Sequence, residues 1–395
     1  MTTPHKTPRV AIVHEWLIDH SGSEKVVEQM LHLYPEADLF SVVDFLAPGE
    51  RGFLQGKTAR TTFIQGLPFA RKHFRSYLPL MPLAVEQHDL SAYDIVLSSN
   101  HAVAKGVITG PHQLHLCYVH SPIRYAWDLQ HQYLRESGLT TGLKAWLARL
   151  VLHRMRLWDV ASANRVDAFV ANSAFIARRV HKVYRRDAAV VHPPVDVARF
   201  VPGTRKDDFF LAASRLVPYK HMPMIVRAFS RLPQHRLVVI GDGPDMARVR
   251  AAAGPNVQVL GYQDGAVLID HMQRARALVF AAEEDFGITP VEAQACGTPV
   301  IAYGRGGALE TVRGLGHGPA PTGLWFDEQT EAAVADAVLR FDAAAGEFTA
   351  AACRAQAEQF SVERFRTRFS ACVDAAWTRF RDDGARPATP TMPMP

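Results

Sequence analysis

Only four cysteines occur in 395 residues, at positions 117, 296, 353 and 372, and no two stand in C-x-x-C spacing. That sparse pattern supplies neither a disulfide framework nor a zinc knuckle. No uncharged apolar run reaches 18 residues, so no membrane-spanning helix is expected. The opening "MTTPHKTPRVAIVHEW" has no signal-like apolar segment, and the chain is read as cytoplasmic. A complete G-x-G-x-x-G is also missing, which weighs against an oxidoreductase on paired dinucleotide-binding domains. No short internal repeat is present. The formal net charge is only +5, compatible with anionic ligands or an acidic membrane face and too small to argue for nucleic acid.

What is present is the grammar of a two-domain α/β protein. A hydrophobic content of 48% with 21% charged residues describes a globular chain, and its length exceeds one ordinary core. In the first half, strand-like runs "RVAIVHEW", "ADLFSVV", "DIVLSSN", "LHLCYVHS" and "DAFVANS" alternate with helical patterns such as "EKVVEQMLHLY" and "SAFIARRVHKVY". In the second, "DFFLAASRL", "HRLVVIGDG", "VQVLGY", "ALVFAAEE" and "TPVIAYG" alternate with "MPMIVRAFSRL", "DMARVRAAA", "GAVLIDHMQRA" and "PVEAQACG". Short buried runs separated by helices predict parallel strands with helical crossovers, that is, two doubly wound domains with their loops gathered at a cleft. Pro193-Pro194 and Pro202-Gly203 mark the junction. The expected division is a first domain over 1–195, a second over 205–360, a helix over 361–381 returning to the first domain, and a disordered Pro-rich tail over 384–395.

Four stretches carry polar chemistry beside these strands. "FAAEEDFGITPVEAQACGTPV" places Glu284 after a strand and Glu292 eight residues on. Thr289-Pro290-Val291-Glu292 reads locally as a helix start, with Thr289 as N-cap and Glu292 closing a capping box. Capping alone would account for Glu292, whereas an acidic group at a strand end beside helix amides can also meet sugar hydroxyls and a phosphate. "ASRLVPYKH" sets Arg215 and Lys220 around a turn, a fork and a point charge for a diphosphate, or two solvated bases. "SGS" offers Gly22 for a close backbone approach, and "CYVHSPIRYAWDL" sets His120 at a strand end. The "GDGPD" turn reads as a tight turn.

In their order, "SGSEKV", "YVHSPIRYAWD", "VANSAFIARRVHKVY", "HPPVDVARF", "SRLVPYKH", "IGDGP" and "EEDFGITPVEAQACGTPVIAYGRGGALETV" resemble the family-4 retaining glycosyltransferases of the GT-B fold. The likeness is greatest to the bacterial mannosyltransferases of O-antigen and exopolysaccharide assembly, and it extends to about Phe380. The resemblance implies that Glu284 lies near the transferred sugar and that Glu292 binds the donor ribose. It implies that Arg215 and Lys220 neutralise the diphosphate, and that Phe286, Gly287, Ile288 and Thr289 form the loop over sugar and phosphates. Gly22 matches the glycine that meets the diphosphate from the first domain, and His120 the histidine beside the sugar. The family often has Gly-Gly where this chain has Ser21-Gly22, so a strain cost at Ser21 is expected if that position needs positive φ.

The implied activity is retaining transfer of a hexose, mannose from GDP-mannose, to a lipid-linked glycan acceptor in cell-surface polysaccharide synthesis. No D-x-D triplet occurs, so no obligatory metal or other cofactor is expected. The basic, apolar segments at 139–158 and 71–82 suit peripheral contact with an anionic membrane, or equally a partly buried helix with a basic rim. A UDP-sugar donor, a GT-B epimerase or phosphorylase, and a non-catalytic nucleotide-sugar-binding protein are the other readings.

Overall fold

A computed structural model describes residues 7–385. The chain divides into two compact units, one comprising residues up to Asn172, 176–191 and from Arg366 onward, the other 173–175 and 192–365. The first unit holds a parallel sheet of β1 (Val10–Leu17), β2 (Asp38–Asp44), β3 (Arg60–Thr61), β4 (Ile95–Asn100), β5 (Leu114–Val119), β6 (Ala168–Ala171) and β7 (Ala188–Val190). Their spatial order is β3-β2-β1-β4-β5-β6-β7. The second unit holds β8 (Phe210–Ala213), β9 (Leu237–Ile240), β10 (Val257–Gly261), β11 (Leu278–Phe280), β12 (Val300–Tyr303) and β13 (Gly323–Phe326), in the order β10-β9-β8-β11-β12-β13. Each sheet therefore reverses direction once, between β1 and β4 in the first and between β8 and β11 in the second. In open α/β sheets the crevice outside the strand ends at such a reversal is where ligands bind.

Both faces of each sheet are covered, which is why the strands read as continuous apolar runs. In β8 the side chains alternate: Leu211 and Ala213 enter one core cluster and Phe210 and Ala212 the other. The same split separates Leu278 and Phe280 from Val279 in β11. In the first sheet the carboxyl end of β4 instead buries Ser98, Ser99 and Asn100, and His14 in the middle of β1 is enclosed beside them. Buried polar groups persist only when hydrogen-bonded, and these four mark the reversal point.

Several expected boundaries move. β13 and the helices Glu331–Ala343 and Ala350–Ala357 are additional to the elements expected in the second half. The helix expected to begin with Thr289 as N-cap begins earlier and runs Ile288–Ala295, with Gly287 in the cap position at φ 89° and ψ 77°. Glycine reaches that left-handed conformation without Cβ strain, so the backbone turns into the helix two residues sooner. Glu292 then sits past the first turn, and the capping-box reading of it is corrected. Pro290 falls inside the first turn, where its missing N–H would have had no intrahelical partner anyway. Ser21 is extended at φ −112°, so the strain anticipated there does not arise.

The division at a single junction near 195 is also refined. The boundary lies between Val191 and His192, and residues 173–175 join the second unit ahead of it. Ser173 Oγ donates to the Asp285 carbonyl at 2.6 Å, and the amides of Ala174 and Phe175 donate to the Glu310 carboxylate at 2.8 and 3.0 Å. The last helix runs Val362–Ala385, past the end expected at 381 and into the first two residues assigned to the tail; the tail from 386 lies outside the described residues. From Arg366 that helix belongs to the first unit, where the Arg366 guanidinium donates to Gln29 Oε1 at 2.6 and 2.8 Å. Among the described residues no helix is long and apolar enough to cross a membrane.

Candidate active site

In the second unit, the loop after β8 and the loop after β11 flank the reversal of the sheet. The first carries Arg215 and, in the short 3-10 turn Pro218–Lys220, Lys220. The second carries Glu283 to Gly287. The Lys220 ammonium donates to Glu284 Oε1, and both side chains are largely enclosed. Lys220 Nζ also lies 5.4 Å from the ring centroids of Phe280 and Tyr219, inside cation–π range. Arg215 is exposed and has no ion-pair partner among the described residues. The expected basic pair is thus split: Lys220 is held by the Glu284 carboxylate and Arg215 faces solvent.

The loop from Glu284 to Thr289 is shaped by backbone contact. Phe286 is buried against His192 and Phe360, with ring centroids 5.5 and 5.3 Å apart, so it anchors the loop through its side chain. Gly287 follows in the left-handed conformation, and Ile288 and Thr289 form the first turn of the 288–295 helix, half-buried. A second glycine-rich loop after β12, Gly304-Arg305-Gly306-Gly307, lies directly on this one. Gly307 N–H donates to the Glu284 carbonyl at 2.8 Å, and a Cβ on Gly307 would stand 2.3 Å from Phe286 Cα. Only a chain without a side chain here lets the 304–307 loop clamp the backbone that carries Glu284. The "GRGG" letters belong to the stretch on which the family resemblance rests, but their spacing alone gives no sign of this contact. Glu292 is half-buried on the same helix.

In the first unit, Gly22 is the first residue of the helix Gly22–Leu33, directly after the extended Ser21. It is therefore a helix-start residue with ordinary φ rather than a turn glycine. His120, just past β5, is half-buried, and its Nε2 lies 2.8 Å from Ser99 Oγ. Its carbonyl accepts from Asn172 Nδ2 at 3.0 Å. Burial, then the neighbouring His101 and His14, pushes the His120 imidazole well below its usual range, so the ring is neutral near pH 7.

Three further residues were not singled out by sequence reasoning. His14 in the middle of β1 lies beside Ser99 in the parallel register, with Nδ1 3.2 Å from Ser99 Oγ and Nε2 3.2 Å from Glu24 Oε1. Glu24 Oε2 accepts from Ser21 N–H at 3.3 Å, Ser21 Oγ at 2.9 Å and Ser23 Oγ at 3.0 Å. Burial would raise the Glu24 carboxyl, but the hydrogen bond and charge of His14 and then the Ser21 bond outweigh it and hold it at about 2. One signal was available: His14 is a polar residue inside a strand-like apolar run. Among the described residues no three His, Cys, Asp or Glu side chains converge as a metal-ligand set.

Comparison with known proteins agrees with this architecture. Residues 20–199 match the family described as Glycosyltransferase Family 4, and residues 196–349 match Glycosyl transferases group 1. Together the two matches span residues 20–349, and the chain has the GT-B fold of two Rossmann-like parallel-sheet domains. The D-inositol 3-phosphate glycosyltransferase of Mycobacterium marinum is 31% identical over 227 residues, covering 51% of this chain and 48% of the relative. That of Mycobacterium leprae is 33% identical over 176 residues, covering 38% of this chain and 41% of its own length. The chain thus spans about half or less of the length of these curated relatives. Among solved structures, Anabaena Alr3699/HepE in complex with UDP and glucose superposes with a TM-score of 0.63 at 17% identity, covering 93% of this chain and 100% of that one. The pneumococcal O-GlcNAc transferase GtfA in complex with UDP and GlcNAc gives 0.59 at 12% identity, covering 94% and 99%. At these identities the two structures speak for the fold of this GT-B-type chain.

Proposed function

We propose that this chain is a retaining glycosyltransferase that moves a hexose, mannose from GDP-mannose, to a hydroxyl of a lipid-linked glycan in cell-surface polysaccharide assembly. The observation that carries the reading is the Lys220–Glu284 pair at the sheet reversal, under the clamp of Gly307 and beside the start of the 288–295 helix. In the proposed reaction the bond between the anomeric carbon and the diphosphate oxygen breaks, and the acceptor oxygen bonds to that carbon. Positive charge grows on the sugar while negative charge grows on the leaving phosphate. Lys220, Arg215 and the helix amides would stabilise the phosphate, and preorganised charge of this kind is usually the largest catalytic term. Glu284 would lie beside the cationic sugar and Glu292 would hold the ribose. Gly22 would meet the diphosphate and His120 the sugar, and the acceptor proton would leave on a phosphate oxygen. No metal or other cofactor enters this scheme.

A UDP-sugar donor is the second reading, favoured by UDP in the neighbouring structures of Alr3699/HepE and GtfA. The relatives, D-inositol 3-phosphate glycosyltransferases by name, add inositol 3-phosphate as an acceptor class to test. A lipid-linked acceptor is supported by the helix Gly142–Ala163, where Leu143, Trp146 and Leu147 are 81%, 60% and 53% exposed beside Lys144. Residues three and four apart share a helix face, so these three form one apolar stripe on a surface with a basic neighbour.

Thermal shift with GDP, UDP, GDP-mannose, UDP-glucose and UDP-N-acetylglucosamine, with and without EDTA, tests the donor. Stabilisation by GDP and GDP-mannose that survives EDTA is the expected result. A response confined to the UDP compounds replaces the mannose assignment, and silence toward every nucleotide overturns the transferase reading.

A further inference from the structure

The 241–245 segment, which reads in sequence as a tight turn, leads from β9 into the helix Met246–Ala252 and lies on the backbone that carries Arg215. Three main-chain bonds bracket that residue. Ser214 N–H donates to the Ile240 carbonyl at 3.1 Å, Leu216 N–H to the Asp242 carbonyl at 2.8 Å, and Asp245 N–H to the Leu216 carbonyl at 3.0 Å. Leu216 is fully buried, so its side chain is a fourth tether. The approach is closer than any side chain allows. Gly241 and Gly243 have φ of 139° and 152°, and a Cβ on them would stand 1.8 Å from the Ser214 oxygen and 2.5 Å from the Leu216 oxygen. The Arg215 guanidinium, by contrast, is exposed and has no ion-pair partner among the described residues.

Resting on the transferase reading above, we infer that Gly241 and Gly243 are positioning residues, which fix the main chain at Arg215 and so preorganise its guanidinium for the donor diphosphate. The two cations of this site are then held by opposite means. Lys220 is held by its head, on Glu284, and a phosphate has to take it from that carboxylate. Arg215 is held by its backbone, and its N–H donors stay available. The Arg215 carbonyl accepts from Val217 N–H at 3.0 Å and from Ser214 Oγ at 3.2 Å, which closes the turn toward Lys220. A free guanidinium on a fixed main chain has only side-chain freedom to lose when it meets a phosphate. A loop that also had to order its backbone would bind more weakly.

A β8–β9 ladder extended for stability alone would make the same bonds, and the two roles part on what happens without Arg215. If the glycines act through Arg215, a Cβ at position 243 weakens nucleotide binding only while the guanidinium is present. If they serve only the fold, the loss is the same with and without it. Gly243→Ala is the direct variant, since the Leu216 carbonyl is main chain and has to move. Asp242→Ala is the mild one. Asp242 is exposed, and its Oδ1 accepts from Gly243 N–H at 2.7 Å, a bond that Asp242→Asn retains.

The test measures GDP and UDP binding to the full chain by isothermal titration and follows the tighter of the two. The Kd is expected to rise about fivefold or more in Gly243→Ala, and by the same factor in a Lys220→Ala background. In an Arg215→Ala background it should change less than about twofold. Equal weakening in all three backgrounds overturns the inference. A second arm digests the ligand-free chain with trypsin and reads the fragments by mass spectrometry, since cleavage after Arg215 requires local opening of its backbone. Relative to the other tryptic sites, that cleavage should rise about tenfold in Gly243→Ala and in Asp242→Ala, with Asp242→Asn at the wild-type level. A rate that neither Gly243→Ala nor Asp242→Ala changes also overturns the inference. Where thermal melts show that Gly243→Ala does not fold, Asp242→Ala takes its place in the binding cycle, compared with Asp242→Asn so that the lost charge cancels. Failure of both nucleotides to bind the wild type overturns the transferase reading and the diphosphate role of Arg215, and the digestion still decides whether the turn holds that residue. A wild type that binds nucleotide without the coupling overturns the inference alone.

Discussion

Glu284 and Lys220 hold each other, and each is also the group a nucleotide sugar would want. A diphosphate that recruits the Lys220 ammonium competes with the Glu284 carboxylate for it. Glu284→Gln removes the competing charge. The nucleoside diphosphate should then bind about three- to tenfold more tightly, up to roughly 1.4 kcal/mol, while turnover falls by about a hundredfold or more. Isothermal titration with the product nucleotide and steady-state kinetics check both halves, and unchanged turnover would favour a non-catalytic binding protein. Lys220→Ala should weaken the nucleotide and kcat together. These two residues were legible because both belong to contiguous motifs whose order carries the family resemblance. Glu24, His14 and Ser99 were not. They stand in three separate stretches of sequence, and their meeting depends on the pairing of His14 with Ser99 across parallel strands, which no spacing in the sequence states.

Among elements, β1, β2, β4, β5, β6 and β8 to β12 were legible because each contains a short apolar run beside polar turns, whereas the two-residue β3 and three-residue β7 at one edge and the other of the first sheet were not. Nor was β13, a run of only four residues, nor the helices at 331–343 and 350–357, whose alanine-rich segments give little contrast between one face and another. The 288–295 helix was legible in type and displaced in start, because a positive-φ glycine outcompeted a Thr-Pro cap. The glycine loop after β12 lends itself to a direct test. Gly307→Ala sets a Cβ 2.3 Å from Phe286 Cα, a backbone atom that cannot swing away. The loop must separate from its neighbour, with a loss of about 2 kcal/mol or more. In a unit of this size the melting midpoint should drop by roughly 4–8 °C, with a weaker nucleotide response; an unshifted midpoint would refute the clamp. For the helix Gly142–Ala163, Trp146→Glu should release the protein from liposomes rich in anionic lipid in a flotation assay while leaving the melting temperature within about 1 °C, since the side chain is 60% exposed. A wild-type protein that does not float would end the membrane proposal.

At the scale of the whole molecule, acid stability is written into the first unit. Burial, partly offset by a backbone bond, lowers His88 to about 4, and it does the same to His115, with Lys105 nearby lowering it further. In the unfolded chain both titrate near 6.5 and take up protons first, so stability should fall as pH drops from about 6.5 to 4. Glu24 acts in the next window. Its folded value of about 2 lies under the ordinary 4.5, so its contribution, on the order of 3 kcal/mol, is full above 4.5 and is lost as pH falls toward 2. Denaturant melts across pH 7 to 3 should show the first loss in the wild type and in Glu24→Gln alike, with the second flattened in Glu24→Gln. An acid limb of equal depth in both would contradict the assigned Glu24 environment. The division into two units was legible as a junction near the proline pairs, but the early visit of residues 173–175 to the second unit was not, because it rests on three hydrogen bonds to side chain and backbone far away in sequence. That threading makes the halves poor building blocks for recombination. A chimera that imports a relative's residues 192–365 keeps the host's Ser173–Phe175 against a foreign Asp285 and Glu310, and an isolated 192–365 fragment lacks them altogether. Exchange of donor preference between such proteins therefore calls for two splices, one of them only three residues long.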